Sequence, residues 1–272
     1  MRLGFDLDGT VADLQGALAR EAGRLFPGID PGTLPRSIAS QAESSSPSAP
    51  SGSAPTGSSP NDATGSPRFS MSALSSRQQR ELWDAACARV NFWETLDEIE
   101  PGSLARLSRL ARERRWEIIF LTSRPETKGD TAQLQSHRWL TARGFELPSV
   151  FVVHGSRGKI AASLNLDVLV DDRPENCLDI AIDSTARAVL VWRGGEDTVP
   201  GSARQLGIGS VASITECLDI LETLDRSSEG VGIVDRFKQL LGLKRSSRRA
   251  PVKAQPAGSA GPDAASIFTS VR

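Results

Sequence analysis

Phe5-Asp6-Leu7-Asp8-Gly9-Thr10 decides how this sequence folds. The stretch ends a short apolar run that begins at Leu3, and it sets two carboxylates one residue apart ahead of a glycine. Glycine permits the tight turn that would expose both acids. Outward from this point, β-rich apolar runs occur at 3–6, 116–121, 150–153, 168–171 and 188–192. Helical patterns at 133–143, 159–164 and 174–182 separate the last four, and another at 102–114 precedes the second. Continuous apolar strands alternating with amphipathic helices predict an α/β fold, a doubly wound parallel sheet with helices on both faces.

Polar residues collect where these runs end. Asp6-Leu7-Asp8-Gly9-Thr10 follows the first, Thr122-Ser123-Arg124-Pro125 the second, and Asp171-Asp172-Arg173-Pro174 the fourth. After the third, past His154-Gly155-Ser156-Arg157-Gly158, Lys159 stands at a helix start. Taken singly, each suits an ordinary structural role: a turn, an N-cap at Thr122 or Ser123, a solvated lysine, a capped turn. In a parallel sheet, however, ligands lie beyond the carboxyl ends of the strands. Four such groups in order after successive strands therefore predict one metal and phosphate site.

The four groups resemble the four signature motifs of the haloacid-dehalogenase (HAD) superfamily, and 5–10 match the first closely. The resemblance covers 1–13 and about 98–225 as a Rossmannoid catalytic core, with a small helical cap inserted after the first strand, at 14–97. It implies a phosphatase acting through an aspartyl phosphate on Asp6, with Asp8 as acid and base. Thr122 would hydrogen-bond the phosphoryl group, and Lys159 would balance charge around it. Mg²⁺ would be held by Asp6, the backbone carbonyl of Asp8 and Asp171, with Asp172 as support or alternate ligand.

Leu82-Trp83, Asn91-Phe92-Trp93, Glu100-Pro101-Gly102, Thr122-Ser123 and Asp167-x-x-x-Asp171-Asp172 are further similar to the 5'(3')-deoxyribonucleotidase branch. In that branch cap aromatics form the nucleobase pocket, which makes Phe92 and Trp93 candidate substrate contacts. The same rings equally suit packing between cap and core. Ser123 and Arg124 are candidates for the anionic part of the substrate, although Arg124 and Arg173 also suit ion pairs. The expected substrate is a small phosphorylated metabolite, a deoxynucleotide first and a sugar phosphate next. A non-catalytic scaffold is the reading from another class.

Composition narrows the remaining choices. With 32 basic against 33 acidic residues and a net charge of -1, nothing global favours nucleic acid. Three scattered cysteines form neither a disulfide framework nor a zinc spacing. No apolar run would span a bilayer, and the first residues lack a signal-peptide h-region, so a cytoplasmic protein is expected. Residues at about 37–70 are rich in Ser, Pro, Ala and Gly and are expected to be a disordered insertion in the cap. An amphipathic helix is expected at 226–245, with a disordered basic tail at 246–272. Basic residues across 231–249 suit contact with a membrane surface or a protein, although docking on the chain's own domain is the commoner role for such a helix.

Overall fold

In the computed structural model, which describes residues 1–27 and 74–226, the first strand sets the pattern of the whole sheet. Leu3 and Phe5 of β1 (Arg2–Asp6) are fully buried on one face. Gly4 faces the other, where an added Cβ would come within 2.5 Å of Leu169 and 2.7 Å of Leu166. The strand is thus apolar on both sides, as a central parallel strand must be. It pairs in parallel with β2 (Glu117–Thr122) and β4 (Val168–Asp171). Outside these lie β3 (Ser149–Val152) on one edge, and β5 (Arg187–Val191) then β6 (Gly209–Val211) on the other. All pairings are parallel, in the order β3-β2-β1-β4-β5-β6. The order reverses between β1 and β4, so the crevice where such sheets bind ligands opens beyond Asp6 and Asp171.

Helices cover both faces. Leu107 and Leu110 of α3 (Ser103–Arg114), Trp139 and Leu140 of α4 (Ala132–Thr141), and Leu218 and Leu221 of α8 (Ile214–Arg226) pack with Leu3, Phe5, Phe120 and Val170. On the opposite face Ala161 of α5 (Arg157–Ser163), Cys177 and Ile180 of α6 (Pro174–Asp183) and Ala203 of α7 (Gly201–Gln205) pack with Leu121, Leu169 and Leu190. This is the doubly wound α/β fold expected from the alternation of runs. The sequence pattern did not mark β6, whose Gly209-Ser210-Val211 is too short and small-sided to stand out.

Helices α1 (Leu14–Leu25) and α2 (Ser76–Ala88) precede α3 on the way from β1 to β2, and α2 is opened by a reciprocal Ser75–Gln78 capping box. Their Leu18, Ala22, Leu82 and Ala86 belong to the same continuous apolar cluster as β1. Glu21 of α1, only 5% exposed, accepts hydrogen bonds from Arg24 and from Arg89 just past α2. The chain leaves and re-enters the core side by side: Asp13 N–H donates to Asp97 O (2.9 Å) and Ile99 N–H to Val11 O (3.0 Å). The expectations for 37–70 and 246–272, the basic stretch 231–249 and all but the first residue of 226–245 lie outside the described residues. Among the described residues no helix is long and apolar enough to cross a membrane.

Candidate active site

Four strand ends meet at the crevice. Gly9, at φ +87°, turns the chain after β1, and an added Cβ would lie 2.1 Å from Oδ2 of Asp172. Only glycine fits that approach. The Thr10 hydroxyl donates to Asp172 Oδ1 at 3.3 Å, tying the turn to the end of β4. Asp171 accepts from the Asn176 amide on both oxygens (3.0 and 2.9 Å) and from Arg173 N–H (2.9 Å). Asn176 sits in the first turn of α6, which Pro174 starts, so the helix presents a fixed donor to the buried carboxylate.

Arg157 is the cation at the centre. Its side chain is 4% exposed, and Nη2 donates to Asp6 Oδ1 at 2.8 Å and to the Ser123 hydroxyl at 3.2 Å. Nε lies 3.8 Å from Asp171. The remaining nitrogen, Nη1, is buried and has no acceptor among the described residues. Lys159, the residue expected in this place, is exposed, and its charge instead favours ionised Asp179. The correction has a geometric cause. Residues two apart on a helix point about 200° apart, so Arg157 and Lys159 cannot both face the site. Between them Gly158 packs so closely on α6 that a Cβ would lie 2.2 Å from Asp179 O, and this fixes which one turns inward.

Asp8 is held differently. Arg124, whose side chain is fully buried, donates to it from Nε (3.0 and 2.9 Å) and Nη2 (2.7 Å). The Thr122 hydroxyl donates to Asp8 Oδ2 at 3.0 Å. Thr122 is thus committed to Asp8 rather than directed at a phosphoryl group. Arg124 is an internal partner of Asp8 rather than a substrate contact. Its Nη1 donates to Ser136 (2.8 Å), and its guanidinium lies 4.9 Å from the Trp93 ring and 5.8 Å from the Trp139 ring. Ser123 alone of this group is exposed, next to Arg157.

Phe92 and Trp93 are 0% and 1% exposed. They pack edge to face at 5.0 Å, and the Trp93 indole N–H donates to Pro125 O at 3.0 Å. Both are therefore wall rather than pocket. Burial leaves no face for a nucleobase, and the nucleotidase likeness loses the feature that made it specific. His154, after β3, is exposed, and His137 is partly buried on α4.

Charge is crowded here. Burial, and then Asp171, push Asp6 well above the usual carboxylate range, with Arg157 offsetting part of the effect. Asp171 is raised by burial against its hydrogen bonds and Arg157. Asp172 is pushed up to about 7 by burial and then by Asp171. Such crowding suits a hard cation, and every side chain in the cluster offers carboxylate oxygen. Among the described residues no three metal-ligating side chains close on one point.

No family model matches the chain, and no curated protein sequence matches it. Among solved structures, it is similar to a protein provisionally named a β-phosphoglucomutase from Thermotoga maritima. That similarity is 14% identity over 82% of this chain and 98% of that one, with a TM-score of 0.44. A hydrolase from Pseudomonas syringae is similar at 15% identity, over 84% of this chain and 100% of that one, with a TM-score of 0.43. Likenesses this distant leave the case for function with the site itself.

Proposed function

We propose that this chain is an enzyme of the HAD type that hydrolyses phosphomonoesters of small metabolites through Asp6, with Mg²⁺ as cofactor. The observation that supports this most directly is the Arg157 guanidinium. One of its nitrogens holds the candidate nucleophile while another, buried, has no acceptor among the described residues. A buried donor of this kind calls for an acceptor, and a phosphoryl oxygen beside Asp6 is the acceptor that fits. Ser123, exposed and next to the same guanidinium, adds a hydroxyl at the mouth.

The chemistry follows from the placement. Arg157 fixes Oδ1 of Asp6, so the carboxylate is oriented for in-line attack. The Asp6–phosphorus bond forms as the bond to the leaving oxygen breaks, and that oxygen takes a proton. Asp8 is the acid nearest this task by sequence position. It accepts hydrogen bonds on both oxygens from Arg124 and Thr122, so one of these must give way when it carries a proton. Water, deprotonated by the same group, then attacks phosphorus, releasing inorganic phosphate and restoring Asp6. Asp6 and Asp171, with the Asp8 carbonyl and support from Asp172, would hold Mg²⁺, which supplies positive charge against the phosphoryl oxygens.

A scaffold that only docked partners would carry the cost of these crowded carboxylates without using them. The test is phosphate release from p-nitrophenyl phosphate with Mg²⁺. Asp6→Asn should abolish turnover and leave the melting temperature intact. A well-folded Asp6→Asn protein that still turned over would sink the proposal.

A further inference from the structure

Arg193, two residues past the end of β5, has no role in the chemistry above, yet it reaches back to the loop that carries it. Its side chain is 14% exposed. Nη1 donates to Gly9 O at 2.7 Å, and Nη2 donates to Thr10 O at 3.0 Å and to Glu100 Oε1 at 2.9 Å. Glu100 in turn caps α8, accepting from Ile214 N–H (2.7 Å) on Oε1 and from Thr215 N–H (2.9 Å) and Thr215 Oγ1 (3.1 Å) on Oε2. One ion pair thus joins three places distant in sequence: the turn after Asp8, the segment that brings the chain back from α2, and the start of α8.

Two adjacent backbone carbonyls gripped by one guanidinium fix the orientation of the peptide planes between them. Those planes belong to the turn whose other side carries the Asp8 side chain and the Thr10–Asp172 contact. The turn's own closing bonds, Gly9 N–H to Ala12 O (3.0 Å) and Val11 and Ala12 N–H to Leu7 O (2.9 and 2.7 Å), leave the Gly9 and Thr10 carbonyls to Arg193. A lysine offers a point charge without the planar fork, so it cannot reproduce all three contacts.

We propose that Arg193, held by Glu100, is a positioning residue that sets the geometry of the 8–10 turn for the reaction on Asp6. The claim rests on the phosphatase reading for its kinetic consequence but not for its structural one. The experiment therefore has two arms, both on the full chain. In the kinetic arm Arg193→Met should lower kcat for p-nitrophenyl phosphate by about tenfold to a hundredfold. KM should stay within about twofold, and Arg193→Lys should recover part of the loss. In the second arm, amide hydrogen exchange should lose protection at Gly9, Val11 and Ala12 in Arg193→Met. Amides of β2 and β4 should keep theirs, and Glu100→Gln should reproduce the pattern more weakly.

Unchanged exchange in the turn would overturn the proposal, whatever the kinetics. Uniform loss of protection across the sheet, with kcat falling only as far as the folded fraction, would overturn it too, since Arg193 would then be a general stabiliser. If the wild-type chain releases no phosphate at all, the phosphatase reading fails, and the exchange arm still decides whether Arg193 sets the turn.

Discussion

Arg157 and Lys159 stand two positions apart in the first turn of α5, and only one reaches Asp6. Arg157→Met should therefore reduce phosphate release at least a hundredfold, whereas Lys159→Met should change it less than twofold. Equal losses in the two variants, with unchanged melting temperatures, would return Lys159 to the site. The sequence offered a clue that is legible in hindsight. Cations are disfavoured near helix N-termini, and two sit in this one, so at least one must have a stronger reason to be there. Nothing in linear spacing says which, because the choice is made by Gly158 against α6, a contact between elements. Asp6, Asp8, Asp171 and Asp172 could be placed from sequence because each sits at or just after a strand end. Asn176, Glu100 and Arg193 could not, since their partners lie in other elements.

At the level of elements, the segment from Phe92 to Leu96 and helix α4 form the wall behind Asp8. Trp93 is tied to the protein interior: its backbone and indole N–H groups donate to Gln135 and Pro125, and its ring lies beside Arg124. Trp139 donates to Leu96 O (2.7 Å), and Arg143 lies 3.9 Å from its ring. Trp93→Ala should then cost about 3–5 kcal/mol of stability, read as a melting temperature lower by about 10 °C. Trp93→Leu should lose less, because it leaves a smaller cavity. Both should lose activity on nucleotide and aryl phosphate in the same proportion. A loss confined to nucleotides would restore the base-stacking role. Asn91-Phe92-Trp93 resembles a base pocket in sequence because packing and stacking use the same residue types; only burial separates them. The sheet itself was legible because a parallel strand covered on both faces reads as a near-continuous apolar run. The three-residue β6 carries too little of that signal.

For the whole molecule, the site sets a pH dependence of stability. Asp6, Asp171 and Asp172 are all raised in the folded chain, the last to about 7 from 3.8. Between these values the folded protein binds more protons than the unfolded chain, so its stability falls as pH rises through about 4 to 7. The sign is opposite to that of a carboxylate held in a favourable ion pair, such as Glu100. Hydrogen bonds from Ile214, Thr215 and Arg193 outweigh burial there and lower its pKa, so its contribution is lost as pH falls. In chelator, the net effect of the three raised acids should make the melting temperature fall by several degrees from pH 5 to pH 8. Asp172→Asn should flatten that fall and raise the melting temperature at pH 8, because it removes a charge that Asp171 opposes while leaving an oxygen for Thr10. On the proposed reading Mg²⁺ would bind the ionised carboxylates, so adding it should restore stability at pH 8 and do little at pH 5, where protons compete for the same oxygens. Thermal melts across this range, with and without Mg²⁺, read all three effects. A melting temperature that rises from pH 5 to pH 8 in chelator would show that the carboxylates are not crowded against one another, and the electrostatic case for a cation there would fall with it.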